Sequence, residues 1–127
     1  MISATTLILL FFAHWWSDFV HQSDKMAVNK STSNKWLLWH VIIYSGWMAI
    51  VISAGVGLGL ISVPAWNLVG GRFIAANFLL HFCTDYVTSR VTSYFYKHKK
   101  RHQFFVTIGF DQFLHAAALI LTWVWIF

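Results

Sequence analysis

The sequence is poor in negative charge. Among its 127 residues only four are acidic, and all are aspartates: Asp18, Asp24, Asp85 and Asp111. Charged residues of both signs make up 10% of the chain, against about 25% in a soluble globular domain. That shortage places the chain in the membrane class. The one cysteine, Cys83, excludes a disulfide within the chain and reads as a packing residue. Pro64 is the one proline, so the apolar stretches on either side run without that helix breaker. A GxSxG nucleophile motif and a Gly-rich phosphate loop are both missing, which excludes the chemistries those motifs carry. The first residues, MISATTLILLFFAHWW, lack a basic n-region and a small-residue cleavage site. They read as a retained helix rather than a signal peptide. There is no internal repeat and no low-complexity tract.

Hydrophobic residues are abundant, at 58%. A helix needs about 20 apolar residues to cross a hydrocarbon core, and four stretches approach that length: about 2–20, 36–60, 67–91 and 105–127. The expected fold is all-α, a single integral membrane domain over 1–127 built as a four-helix transmembrane bundle. Ser33 or Asn34 is the expected N-cap of the second helix. The run GVGLG at 55–59 fits either a close helix-packing face or a helix end.

The net charge of +5 is unevenly spread. Lys25, Lys30 and Lys35 share one polar gap; Arg90, Lys97, Lys99, Lys100 and Arg101 lie in or beside another. This is the pattern of the positive-inside rule, not of a nucleic-acid patch, so nucleic acid is not an expected partner. Both basic gaps are expected in the cytoplasm and both termini on the outer side of a bacterial inner (cytoplasmic) membrane. Segments 25–33 and 94–104 read as short helices lying on the bilayer, where KHKKRH meets anionic lipid.

Three of the four aspartates stand four residues from a histidine: His14/Asp18, His81/Asp85 and Asp111/His115. Residues at i and i+4 share a helix face. With His40 near the start of the second helix, seven imidazoles and carboxylates from four helices converge on one layer near the inner interface. Such groups suit zinc, manganese or iron, and facing helices of a bundle recurrently hold one or two such ions. An aspartate inside a bilayer costs about 2.5–3.5 kcal/mol even on insertion scales, and a cation would compensate several at once. The expected metal ligands are therefore His14, Asp18, His40, His81, Asp85, Asp111 and His115. The same residues also suit an interhelical polar tether, worth about 1 kcal/mol, or a proton or ion path. Asp85 has a further candidate partner in Arg90. His21, His98 and His102 fall in polar gaps and read as surface residues.

The run HWWSDFVHQSDKMAVNKS, then His40, then HFCTDYVTSR and DQFLH resembles a family of small bacterial and phage integral membrane proteins of unknown function. The likeness spans nearly the whole chain and rests on His14, Asp18, Phe19, Gln22, Met26, Lys30, His40, His81, Asp85, Arg90, Asp111, Gln112 and His115. It is similar, more distantly, to inner-membrane metal-dependent hydrolases. The expected activity is metal-assisted hydrolysis of a phosphate or ester at the cytoplasmic membrane face. One of Asp18, Asp85 and Asp111 would act as general base. Lys25, Lys30 and Arg90 would hold an anionic lipid or phosphate substrate, and Gln22 and Gln112 would orient the ligands. The alternatives are a non-enzymatic membrane-interaction protein, assembling as a homo-oligomer around a structural site, and an ion or proton conductor.

Overall fold

In a computed structural model, residues 2–127 are described, and among them the ordered elements are all helical. Helix α1 (Ala4–Trp15) runs directly into a π-helical turn, Trp16–Val20. A short α2 (Asp24–Asn29) and a turn lead to α3 (Asn34–Gly57), and α4 (Trp66–Lys97) and α5 (Arg101–Ile126) form a long hairpin. Helix α4 packs between α3 and α5, and α1 packs chiefly on α3.

The helix ends follow from the local sequence. Ser3 and Ser23 cap α1 and α2, their hydroxyls accepting from the backbone N–H of Thr6 and Met26, which satisfies donors that a first turn leaves open. Ser33 precedes α3 without a side-chain cap bond. The GVGLG run ends α3 in a Schellman motif. Gly59 takes φ +71°, and the N–H groups of Leu60 and Gly59 bond back to Gly55 and Val56, a conformation glycine adopts without strain. Gly55 is also a close-packing position, with Ile61 and Leu9 lying against its missing side chain.

Two of the four expected spans, α3 and α5, are long and apolar enough to cross a membrane. The apolar helix Ala4–Val20 is shorter. Helix α4 has 32 residues, about 48 Å at 1.5 Å per residue, and carries Arg72, Asp85, Arg90 and Lys97. The first surface segment contains α2 as expected. The second does not form a separate helix: 94–97 extend α4, 101–104 begin α5, and Lys99 turns the chain at φ 56°.

The interior is divided. Toward one end, Leu10, Ala13, Tyr44, Met48, Ile52, Ile61, Phe73, Leu119 and Trp123 form an apolar core. Beyond Tyr44 most of the buried residues are polar: His14, Asp18, His40, His81, Asp85 and His115, with Leu37 and Val41 buried on the same side. The outer faces are apolar instead, with Ile8, Leu68, Leu79, Phe113 and Leu121 exposed. Near the apolar core, Asn77 ties α4 to α5 by donating to Thr122 Oγ1 at 2.8 Å.

Gly70 and Gly71 make a matched test of this packing. A methyl on Gly70 would meet the Trp66 ring at 2.8 Å, whereas Gly71 faces open space. Trp66 donates to Ser53 and stacks on Phe127. Overpacking costs about 1–3 kcal/mol, while Gly→Ala in a helix gains up to about 1 kcal/mol. Gly70→Ala should therefore lower thermal stability in detergent, and Gly71→Ala should leave it equal or raise it, as read by helical circular dichroism on heating.

Candidate metal centre

The π turn positions the first ligand, Asp18. The N–H of His21 bonds to Trp16 O, five residues back, and Ser17 Oγ bonds to Ala13 O at 2.6 Å. The wider turn leaves both Ser17 and Asp18 buried; such turns recur at functional sites. From α3 and α4, His40, His81 and Asp85 meet Asp18 in one buried group.

Four atoms define this group. His40 Nε2 lies 3.0 Å from Asp18 Oδ1, 3.1 Å from His81 Nε2 and 3.3 Å from Asp85 Oδ2. His81 Nε2 lies 3.6 Å from Asp85 Oδ2 and 3.7 Å from Asp18 Oδ1. Ligand atoms about 2.0–2.2 Å from a tetrahedral zinc stand roughly 3.3–3.6 Å apart. Five of the six separations among these atoms thus approach the edges of a metal tetrahedron, the sixth, between the two aspartate oxygens, lying within 4.8 Å, and the buried Asp18 Oδ1 has no aligned hydrogen-bond donor.

A second group adjoins it, made of Asp85, Asp111 and His115. His115 Nδ1 donates to the backbone carbonyl of Asp111 at 2.8 Å. In the neutral ring Nε2 is then a lone pair. It is buried without a partner, 3.5 Å from Asp85 Oδ1. Two electron-rich atoms face each other there, an arrangement that a cation relieves and that fixed-tautomer histidine ligands commonly show. Asp85 offers one oxygen to each group, the disposition of a bridging carboxylate.

Lys30 enters from the turn after α2. Its Nζ lies 2.9 Å from Asp85 Oδ2, 3.4 Å from His40 Nε2 and 3.8 Å from Asp18 Oδ1, capping one face of the tetrahedron. Burial works against its charge, but Asp85 and then Asp18 outweigh that and hold its proton more firmly than on a free lysine.

The structure brings six of the seven expected ligands into these two groups. His14 stands beside them. Its Nε2 meets Gln112 Oε1 at 3.0 Å, its Nδ1 meets the Tyr44 hydroxyl at 3.2 Å, and its ring stacks on His115. Gln112 also donates to Asp111 Oδ2, and Gln22 places a buried, unpartnered Oε1 near the groups. Of the three basic residues, Lys30 contacts the carboxylates directly. Lys25 is exposed. Arg90 bonds to Tyr86 O and Asn34 Oδ1, so Asp85 pairs with Lys30 rather than with Arg90. Two contributors lie outside the expected set. Tyr44 stacks on His81 with ring centroids 3.8 Å apart, and its place one turn after His40 on the same helix face is the signal the sequence offers. Thr88 donates to Asp111 Oδ1 and follows Asp85 by three residues.

A cavity of about 620 Å³ opens onto both groups, with Asp18, Asp85 and Asp111 on its wall. The comparisons with known proteins assign no chemistry to it. Residues 6–127 match the family described as "Protein of unknown function (DUF3307)", and the chain belongs to that family. No curated protein and no solved structure matches it.

Removing one partner of a buried ion pair costs about 3–5 kcal/mol, because the other charge is left uncompensated. In chelator, Lys30→Met should destabilise the protein by an amount of that order. Adding Asp85→Asn to Lys30→Met should recover much of the loss, since one of the unbalanced carboxylates is then gone. Additive losses in thermal unfolding of the two single variants and the double variant would rule out direct coupling.

Proposed function

Membership in a family without an assigned activity leaves the site as the guide, and we propose that the protein is a multi-pass membrane protein with a divalent transition-metal centre. Asp18, His40, His81 and Asp85 hold one ion, of zinc, manganese or iron, and Asp85, Asp111 and His115 offer a place for a second. The near-tetrahedral set of Oδ1, Nε2, Nε2 and Oδ2 atoms carries this reading. The apolar outer faces around a polar interior support the bilayer setting, since intramembrane ionisable groups face the inside of a bundle. The basic turns then lie in the cytoplasm of a bacterium, with both termini outside.

The activity that fits best is hydrolysis of a phosphate or ester at the cytoplasmic face. With four protein atoms around it, the ion would take a water as a fifth ligand, lower the pKa of that water and polarise the scissile group. Asp111 is placed to take the proton, because it lies at the cavity wall and outside the four-residue group. Thr88 and Gln112 orient its two oxygens. His14, held by Tyr44 and Gln112, keeps the Gln112 amide directed at Asp111.

Lys30 favours a second reading. Its ammonium already offsets the Asp18 and Asp85 charges, as a purely structural polar network requires. Metal content separates the two. Protein purified without chelator should carry one or two transition-metal ions per chain, and Asp85→Asn should lose at least tenfold in affinity and its metal-dependent stability. Background metal with no tight binding on re-addition, together with unchanged or higher Asp85→Asn stability, would establish the structural network. Against an aryl phosphate ester, Asp111→Asn should lower kcat about 100-fold or more with the ion held by Asp18, His40, His81 and Asp85 retained. For orientation, cysteine placed at Ala65 on a Cys83→Ala background should react with an impermeant reagent from outside, and cysteine at Ser31 should not; the reverse pattern would invert the topology.

A further inference from the structure

The cavity continues away from the metal centre along α4. Thr88, Ser89, Thr92 and Ser93 line it and follow Asp85 at three- and four-residue spacings, ending at Lys97. Ser89 Oγ is buried there without a hydrogen-bond partner. Phe19, Val28, Phe104 and Ile108 also line it, from segments other than α4. The cavity therefore offers both hydroxyl groups and hydrocarbon.

Its charge depends on metal. Counted with the carboxylates ionised and the histidines neutral, Asp18, Asp85 and Asp111 against the ammonium groups of Lys30 and Lys97 leave the bare cavity one charge negative. A single divalent ion makes it one charge positive. Lys30 and the ion also draw on the same oxygens, Asp85 Oδ2 and Asp18 Oδ1. An ion bound there weakens the hold on the Lys30 ammonium and frees it to turn toward the cavity.

We propose that this cavity is the binding site for a phosphate-bearing amphiphile, a phosphate ester on an alkyl chain, and that it takes this ligand only when metal is bound. The inference rests on the metal reading above and names the substrate class for the same centre. The phosphate lies against the metal, Lys30 and the Ser89 hydroxyl. The chain lies along Phe19, Val28, Phe104 and Ile108. Metal loading thus converts an anion-repelling cavity into an anion-accepting one, with Lys30 as a cation shared in turn by protein and ligand.

The test uses labelled dodecyl phosphate and full-length protein in a neutral maltoside detergent, by equilibrium dialysis, after zinc content has been measured. Zinc-loaded protein should bind dodecyl phosphate at least tenfold more tightly than chelator-treated protein. It should also bind it at least tenfold more tightly than inorganic phosphate. Ser93→Trp, which fills the cavity away from the ligand atoms, should weaken binding at least tenfold with zinc content unchanged; Lys97→Gln, at an exposed position, should weaken it in the same direction should the tryptophan variant fail to fold. Full zinc content with equal binding in zinc and in chelator would mean partition of an amphiphile and would overturn the inference alone. Inorganic phosphate binding as tightly as dodecyl phosphate would overturn the amphiphile in favour of free phosphate. Protein that takes up no zinc would overturn the metal reading, and this inference with it.

Discussion

Two carboxylates buried side by side govern this structure. Asp18 and Asp85 bring ligand oxygens within 4.8 Å of each other, and both side chains are almost wholly out of solvent. Like charges at that distance in a medium of low dielectric repel strongly, so the fold must supply positive charge or protons at that point. Three features answer the demand: Lys30 folded back from its turn, and His40 and His81 with Nε2 directed inward; His115, whose Nε2 lone pair faces the far oxygen of Asp85, adds to it instead. The helices that meet here could pack through apolar contacts alone, as they do around Met48 and Phe73. The polar layer is therefore maintained at a cost in stability, and that cost is the physical ground for assigning it a task.

The two interiors are joined through Tyr44. Its ring belongs to the apolar core and stacks on His81, while its hydroxyl reaches His14. A side chain with an apolar body and a polar tip suits such a boundary. Through it the position of His81 depends on the packing of α1, α3 and α4 together. Gln112 does the same on the α5 side, joining His14 to Asp111.

Much of this is legible in the sequence, for identifiable reasons. The helical class and the approximate helix limits follow from apolar run length and from Pro64 and the glycines. The convergence of His40, His81, Asp85, Asp111 and His115 follows from i, i+4 spacing and from matching distances to the basic turns. The departures have a common origin in contacts between segments distant in sequence. Lys30 reads, with Lys25 and Arg90, as a basic residue that would hold an anionic substrate, and its bond to Asp85, 55 positions away, comes only from the return of its turn onto α4. His14 has the same spacing to Asp18 as His81 has to Asp85, yet Tyr44 and Gln112 occupy its nitrogens. The third expected span stops at 91 because charge reads as the end of a helix. The hairpin instead continues about 18 Å past Asp85 at 1.5 Å per residue, and that extension forms a wall of the cavity.

The π turn at Trp16–Val20 makes the length of the first helix part of its chemistry. A π turn holds one residue more than the α-helical turn it replaces, and each residue rotates an α-helix by about 100°. Deleting a single amino acid ahead of Asp18 in WSDFV would let the turn close as a regular α-helical one and shift Asp18 within it along and around the axis, so that the carboxylate no longer faced His40. Substitutions can leave every ligand in place and keep the site, whereas one lost codon upstream of Asp18 removes it with the composition almost unchanged. Among members of the family, the spacing between the first histidine and the first aspartate should thus vary less than the residues between them.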